Sequence, residues 1–202
     1  MMRRVLIAAL ALLAAGTAYV ASPFVAAWMI REAIRSGDSA YLADKIEWNS
    51  LQVSLAPSLR RIALKLPEPD AQSGAAKLSL WQRVKARVGR GAVDRFVESY
   101  VTPEGLPQLF TYRAAYRQTI SGEVEEQRTL ANLPERIARF WARVKRAEFK
   151  GLATFELDVE DRHDPSRIYA SVLELKGLEW KLTRLAIRSA GEIGAVAQSP
   201  LE

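Results

Sequence analysis

The sequence contains no cysteine and only one histidine among its 202 residues. The lack of cysteine excludes disulfide bonds, thiol nucleophiles, iron–sulfur clusters and cysteine-ligated zinc. One histidine is too few for a histidine-rich metal centre. That residue, His163, lies in an Arg-His-Asp-Pro stretch. We interpret it as a solvated turn residue rather than a general base, which would need a partner and a pocket. We therefore predict no metal and no cofactor.

Motifs for phosphate binding and for nucleophilic catalysis are also missing. Gly89-Arg90-Gly91 lacks the Gly-Lys-Ser/Thr ending of a phosphate-binding loop, and no Gly-x-Ser-x-Gly sequence occurs. Hydrophobic residues make up 49% of the chain and charged residues 26%, which is typical of a folded protein and too apolar for a disordered one. The sequence thus indicates a folded chain without a recognisable catalytic set.

The amino terminus carries a long uncharged run from Val5 to Ile30, preceded by Arg3 and Arg4. Leu, Ile, Val and Ala dominate this run as far as Ala21. About 20 apolar residues are enough for a helix to cross a bilayer core of about 30 Å. By the positive-inside rule the two arginines stay in the cytoplasm, and the rest of the chain is exported.

Three interpretations of this run remain open: an uncleaved anchor, a cleaved signal peptide and a buried helix of a soluble protein. Gly16-Thr17-Ala18 is a small-x-small site at which a signal peptide would be cut. We favour the anchor because the apolar run continues past that site. Ser22-Pro23 is typical of a helix start, so we predict a membrane helix over about Arg4 to Ala21 and a second helix over Pro23 to Ser36.

The next part of the chain has the periodicity of several helices. Gly37 fits the left-handed residue that ends a helix, and Asp38 caps a short helix that continues to Lys45. Leu51, Leu55, Leu59 and Ile62 follow one side of a helix over residues 47–66, in which Pro57 causes a kink or a split. We further predict a loop at 67–74, helical structure over 78–100 (intact, or two helices broken at Gly89 and Gly91), a short helix capped by Thr102, a connection over 121–132 and a helix over 134–144.

The pattern changes to alternation near residue 145. Phe155, Leu157 and Val159 alternate with polar residues, as in a half-buried strand. Two further strands follow at 168–175 and 178–187, joined by a turn at Lys176-Gly177, and the last strand needs a bulge near Thr183 to place its apolar residues on one face. Helices followed by an antiparallel meander predict an α+β fold. The predicted divisions are an anchor or signal sequence (1–21), an α+β domain (22–188, helical over 22–144 and a β-meander over 145–188) and a disordered tail (189–202).

Basic residues are concentrated in two stretches, with a net charge of +6 over residues 60–95 and +4 over residues 135–150. A solvated helix face is the simplest interpretation. Contact with anionic lipid headgroups is the functional alternative. Nucleic-acid binding is a third, which export from the cytoplasm would exclude, so no nucleic acid is expected. The arginines at helical spacing, our candidates for lipid contact, are Arg83, Arg87 and Arg90, and Arg136, Arg139, Arg143 and Arg146.

Two other sets of residues have both a functional and a structural interpretation. Glu156, Asp158 and Glu160 share one strand face, where carboxylates catalyse proton transfer or bind a cation. We favour a solvent-facing strand whose acids pair across the sheet, with partners among Glu174, Lys176, Lys181 and Arg184. Four aromatic residues line a pocket if one exists and otherwise form plain core; they are Tyr112, Tyr116, Phe155 and Trp180.

Several short segments resemble known families. The ending Gly177-Leu-Glu-Trp-Lys-Leu182 resembles the last hairpin of the nuclear-transport-factor-2-like (NTF2-like, cystatin-like) cone, and so do the early helix, Gly37-Asp38 and Leu42. The chain resembles more closely a bacterial family, domain of unknown function 2939 (DUF2939). The matching segments are Tyr19–Phe24, Ala33–Asp38, Ser54-Leu55 and Val101–Leu106. This resemblance implies an anchored envelope protein and transfers no catalytic residues.

Taken together, these features predict a single-pass protein of a bacterial inner membrane with an α+β domain in the periplasm. We expect the domain to be a non-catalytic binding or interaction module. Its expected partners are the lipid bilayer and either another envelope protein or a small apolar ligand. The alternatives are a small-molecule binder or enzyme of the NTF2-like type, which needs an enclosed pocket, and a cytosolic nucleic-acid binder.

Overall fold

The computed structural model describes residues 2–64, 91–109, 111, 132–162 and 164–190. The predicted loop at 67–74, most of the connection at 121–132, all but the start of the tail, His163, Arg83, Arg87, Arg90, Tyr112 and Tyr116 lie outside these residues. The described elements are α1 (Met2–Ser36), α2 (Ser39–Lys45), α3 (Trp48–Leu64), α4 (91–100), α5 (105–109), α6 (Leu133–Trp141), β1 (Val144–Gly151), β2 (Thr154–Glu160), β3 (Arg167–Lys176) and β4 (Glu179–Ser189).

The four strands form one antiparallel sheet in the order β1-β2-β3-β4. The predicted α+β fold, with helices first and an antiparallel sheet at the carboxyl end, is confirmed. Strand β1 was not predicted as a separate strand, and the predicted helix over 134–144 extended into its first residue. Helix α6 ends at Trp141, and β1 begins at Val144.

The bulge predicted near Thr183 is confirmed by the pairing of β3 with β4. Leu173 pairs with Leu182 and the preceding Val172 pairs with Arg184, so Thr183 has no partner opposite it. One extra residue reverses the alternation of a strand. Leu185 and Ile187 therefore pack against the same core as Leu182, although their sequence parity differs.

Helix α1 is continuous, and the break predicted at Ser22-Pro23 is wrong. Proline lacks the backbone N–H that would bond the carbonyl of Tyr19 four residues earlier. In this helix the hydroxyl of Ser22 donates a hydrogen bond to that carbonyl, with 2.6 Å between the oxygens. Because the carbonyl keeps a donor, the helix passes through Pro23. The split considered at Pro57 is likewise absent, since α3 runs unbroken from Trp48 to Leu64.

The predicted helix ends around α2 and α5 are confirmed. Gly37 has a φ of +80°, a left-handed conformation that favours glycine. Asp38 caps α2 by accepting a hydrogen bond from the backbone N–H of Tyr41 at 3.0 Å. The Thr102 hydroxyl accepts a hydrogen bond from the N–H of Gly105 at 3.0 Å, at the start of α5.

Helix α3 covers the edge strand β4. The hydroxyl of Ser54 accepts a hydrogen bond from the N–H of Leu185 at 3.0 Å, and Ser58 accepts one from Ile187 at 3.1 Å. Four helix residues advance about 6 Å along the axis, which is close to the span of two strand residues. The two serines thus satisfy the outward N–H groups of an edge that would otherwise be open to pairing with another chain.

One hydrophobic core joins the helices to the sheet. It contains residues of α1 to α4 and α6 together with residues of β2, β3 and β4, and Phe155 at its centre has no exposed surface. Among the apolar residues predicted on one side of α3, Leu51 and Leu55 are buried, whereas Ile62 is 40% exposed. Burial in α3 thus extends from Leu51 to Ser58 and decreases towards the end of the helix.

Candidate functional site

Helix α1 consists of two halves with opposite surroundings. We call Met2–Ala18 the anchor half, because each of its residues is exposed, and Tyr19–Ser36 the docked half, because it packs on the domain. Large apolar residues of the anchor half are among the most exposed in the described structure, for example Leu12 at 75% and Leu13 at 67%. Exposed apolar surface of this extent indicates a membrane or an interface.

Among the described residues, α1 is the one helix long and apolar enough to cross a membrane. The most apolar 18-residue window of α1 has no buried share, which contradicts the alternative of a buried helix in a soluble protein. A signal sequence near the amino terminus has the same composition. The geometry therefore fits a membrane span or a signal sequence.

The docked half is held by aromatic side chains. Phe24 packs edge-on against Phe155 of β2, with 4.8 Å between the ring centroids, and contacts Trp141 at 5.3 Å. Trp28 packs on Phe140 of α6 at 5.6 Å. Edge-to-face pairs at these separations add stability beyond the burial of their surface. The aromatic residues thus fix α1 along the inner face of the sheet.

Polar contacts hold the first turn of the docked half against strand β4 and the turn between β1 and β2. The indole N–H of Trp180 donates to the hydroxyl of Ser22 at 2.7 Å, and that hydroxyl donates in turn to the carbonyl of Tyr19. The Tyr19 hydroxyl donates to the carbonyl of Leu152, in the turn between β1 and β2. The helix therefore leaves the domain beside this turn.

Arg136 is not on a lipid-facing surface. It is 8% exposed, and its guanidinium forms an ion pair with Glu32 of α1. Glu32 also binds Arg31 at 2.7 Å, and the guanidinium of Arg31 lies 4.8 Å from the ring centroid of Trp28. A buried cation is stable when a carboxylate neutralises it. Arg136 therefore joins α6 to α1.

The single helical face predicted for Arg136, Arg139, Arg143 and Arg146 is wrong, because α6 ends at Trp141. Arg143 lies in the turn before β1 and donates a hydrogen bond to the carbonyl of Glu160 at 3.3 Å. Burial lowers the pKa of Arg143, and repulsion by Arg162 lowers it further. Arg139 is the most exposed of the four, with 53% of its side chain open to solvent, and it pairs with Glu135 at 3.8 Å.

The strand carboxylates are paired, but with different partners from those predicted. Arg146 of β1 binds Asp158 at 2.9 Å and Glu156 at 2.8 Å, and Lys145 binds Glu160 at 2.6 Å. The hydrogen bond to Asp158 raises the pKa of Arg146. Asp158 is 1% exposed and therefore does not face solvent.

The residues proposed as cross-sheet partners pair elsewhere. Glu174 binds Lys176 at 3.2 Å and Arg184 at 3.8 Å, and Lys181 binds Asp44 of α2 at 3.5 Å. In the part of the chain that the structure describes, no group of three or more His, Asp or Glu residues is arranged to hold a metal ion.

The residues proposed to line a pocket lie in the core where they are described. Phe155 has no exposed surface and Trp180 is 4% exposed. A shallow open groove of about 450 Å³ lies elsewhere, between the start of α3 and strands β3 and β4. Most of its lining residues are of polar or charged types, among them Glu47, Asn49 and Arg184. It is unlike the enclosed apolar pocket expected of a small-ligand site.

Sequence analysis missed Leu152 and Leu178, the most exposed large apolar residues of the sheet. A signal for them exists in the sequence, because Lys-Gly-Leu occurs at 150–152 and again at 176–178. Each copy runs from the end of a strand into a hairpin turn, one between β1 and β2 and the other between β3 and β4.

Comparison with known proteins gives a family match for just under half of the chain. Residues 12–109 match the family model described as "Protein of unknown function (DUF2939)". No curated protein and no solved structure matches the chain. The matched range begins within the anchor half of α1 and ends at α5, before the sheet.

Proposed function

We propose, starting from the match of residues 12–109 to the DUF2939 family model, that the protein is a single-pass membrane-anchored protein of the bacterial cell envelope. Its α+β domain is a non-catalytic binding or interaction module. The observation that carries the proposal is the division of α1, whose anchor half is not covered by any of the residues that the structure describes. Burial in hydrocarbon is the favourable state for such a surface.

The proposed orientation rests on charge. Arg3 and Arg4 precede the apolar run, and cytoplasmic flanks of membrane helices are enriched in Lys and Arg. The domain then lies on the opposite side of the inner membrane, in the periplasm. The anchor is uncleaved in this proposal, because Gly16-Thr17-Ala18 lies inside a helix that continues into the core.

The proposed binding role concerns the outer surfaces of the domain. Aromatic residues fill the described part of the space between α1 and the sheet, with Phe24, Phe149 and Trp180 all within 6.5 Å of Phe155 between ring centroids. This packing supports a partner that meets the surface, such as another envelope protein or the lipid headgroups. The order of helices followed by a meander also supports the NTF2-like cone as the fold family, which is part of the proposal.

The alternative of an NTF2-like enzyme or small-molecule binder needs a hollow lined by a buried acid, base or polar group. Phe155 and Trp180, the two pocket candidates that the structure describes, are packed instead. No observation on the described residues favours this alternative over the interaction module.

A pair of reporter fusions after Glu202 tests the proposed topology. Alkaline phosphatase, which is active only in the periplasm, is expected to be active, and a reporter that fluoresces only in the cytoplasm is expected to be dark. The intact chain is expected to stay in the membrane pellet after alkaline carbonate extraction. The opposite pattern of reporters, or recovery of the unprocessed chain in the soluble fraction, contradicts the proposal.

Mass spectrometry of the purified chain tests the uncleaved anchor separately. We expect the residues before Tyr19 to be present in the mature protein. A chain that begins at Tyr19 supports the cleaved signal peptide instead, and it leaves the domain without a membrane span.

A further inference from the structure

Two hairpin turns at one end of the sheet present exposed leucines in the same sequence context. Leu152 is 85% exposed and Leu178 is 96% exposed, and each follows a Lys-Gly pair. Turn positions ordinarily carry Gly, Asn, Asp or Ser. A single exposed leucine is normal on a protein surface. Two in neighbouring turns at one end of a sheet require a common explanation.

The two turns lie side by side. Antiparallel pairing places the β1–β2 turn and the β3–β4 turn at the same end, because Thr154 of β2 pairs with Glu174 of β3. The backbone N–H of Leu175 also donates to the carbonyl of Ala153 at 2.8 Å. The two leucines therefore project from one end of the domain.

The anchor half of α1 leaves the domain at this same end. The Tyr19 hydroxyl bonds to the carbonyl of Leu152 itself. Trp180, two residues after Leu178, bonds to Ser22 at 2.7 Å. Farther along α1, Glu32 contacts Arg136 of α6, so the docked half leads away from the two turns. Both leucines thus lie at the level where the helix emerges.

The length of the anchor half indicates where the bilayer surface lies relative to this end. From Val5 to Ala18 the helix rises about 21 Å at 1.5 Å per residue, whereas the hydrocarbon core is about 30 Å thick. The hydrocarbon core of the bilayer therefore extends to the first residues of the docked half unless the bilayer thins. The end of the domain at that level meets the outer boundary of the hydrocarbon.

We propose that Leu152 and Leu178 insert into the boundary of the bilayer that α1 spans, so that the domain contacts the membrane at two turns as well as through its helix. The inference rests on the proposed anchoring by α1. Lipid is the occupant because the continuous helix leaves no linker between the span and the domain. The leucines carry the contact, since Lys150 and Lys176 are paired with Glu148 at 2.8 Å and Glu174 at 3.2 Å.

The natural absence of cysteine allows a direct test in the full chain. Four single-cysteine variants are made: Leu152→Cys, Leu178→Cys, Leu13→Cys in the anchor half as a positive control, and Ser166→Cys as a negative control. Ser166 lies in the turn between β2 and β3, about 20 Å from the leucine turns along β2. Each variant carries a polarity-sensitive fluorophore and is reconstituted in phosphatidylcholine vesicles. Quenching by nitroxide lipids is then compared with quenching by aqueous iodide.

We expect the probes at 13, 152 and 178 to be quenched by nitroxide lipids and shielded from iodide, with the probes at 152 and 178 quenched best by shallow nitroxides. The probe at 166 shows the reverse. If the probe at 13 is quenched by lipid while either turn probe is as open to iodide as the probe at 166, the two-turn contact is wrong and the anchor stands. If the probe at 13 is also open to iodide, the anchoring itself is wrong, and the inference is overturned with it.

Discussion

The two halves of α1 are equally helical but are stabilised by different surroundings. The anchor half is built mainly from Ala, Leu, Ile and Val and contains no aromatic residue, whereas the docked half contains Tyr19, Phe24 and Trp28. Wide flat rings fill the space above a sheet and pack edge to face on other rings. Aliphatic side chains all around a helix suit a uniform apolar solvent. The comparison teaches that side-chain shape, beyond hydrophobicity, decides which apolar half packs on protein.

The largest expected difference between the halves concerns charge. Leu10→Arg with Leu13→Arg places two cations in the anchor half, and each costs about 3 kcal/mol of insertion free energy near the centre of a membrane helix. We expect this variant to lose its resistance to alkaline carbonate extraction.

The matched control places the same charges on the exposed side of the docked half. Val25 and Met29 are 57% and 45% exposed, so Val25→Arg with Met29→Arg is expected to remain in the membrane pellet. Equal loss from both variants would show that exposure, and not the location within α1, determines the effect.

A pair of isoleucines compares packing in the two halves. Ile30 is 5% exposed and Ile7 is 58% exposed. We expect Ile30→Ala to lower the free energy of unfolding by about 2 to 5 kcal/mol, because it leaves a cavity in the core. Ile7→Ala is expected to change it by less than about 0.5 kcal/mol. Chemical denaturation in detergent micelles measures both values, and similar losses would contradict the division of α1.

The ion pair of the docked half gives the next largest effect. Glu32→Gln leaves the buried guanidinium of Arg136 without its carboxylate, and we expect a loss of about 2 kcal/mol in unfolding free energy. The control is Glu135→Gln, which breaks an exposed pair with Arg139 and is expected to cost less than about 1 kcal/mol. If the two losses are equal in the same denaturation assay, Arg136 does not link α6 to α1.

The smallest expected effect compares two hydroxyl groups that bond to helix carbonyls. Ser22 bonds to the carbonyl of Tyr19 in the docked half, and Thr17 bonds to that of Leu13 in the exposed anchor half. Ser22→Ala removes the donor that replaces the N–H missing at Pro23 and the acceptor of Trp180, so we expect a loss of about 1 to 2 kcal/mol. Thr17→Ala is expected to change stability by less than about 0.5 kcal/mol. A neutral Ser22→Ala would mean that another group satisfies the Tyr19 carbonyl.

Local features of the fold followed from neighbouring residues. The φ of Gly37, the cap at Asp38 and the short helix α2 depend on contacts within a few residues, and the structure confirms them. The bulge near Thr183 followed from the alternation of side chains along β4. Trp180 and Leu182 occupy even positions and Leu185 and Ile187 odd ones, so only an extra residue between them lets all four face the same core.

Features that depend on distant partners did not follow from the sequence. Pro23 alone predicts a break in α1, but the Ser22 hydroxyl that bonds to the Tyr19 carbonyl is itself held by a hydrogen bond from Trp180, 158 residues away. The arginines near 140 were assigned to one face because their spacing is helical. Their actual positions depend on where α6 ends and on the ion pair between Arg136 and Glu32, 104 residues apart.

The sequence by itself determined that the chain begins with an apolar helix and ends with an antiparallel sheet, since periodicity and turn chemistry are local properties. Only the tertiary structure decided which part of that helix the domain covers. It also decided that the turns with Leu152 and Leu178 lie where the helix leaves the domain. Hydrophobicity determines that an apolar surface is buried away from water. Which surface it packs against is known only once strands that are distant in the chain lie together.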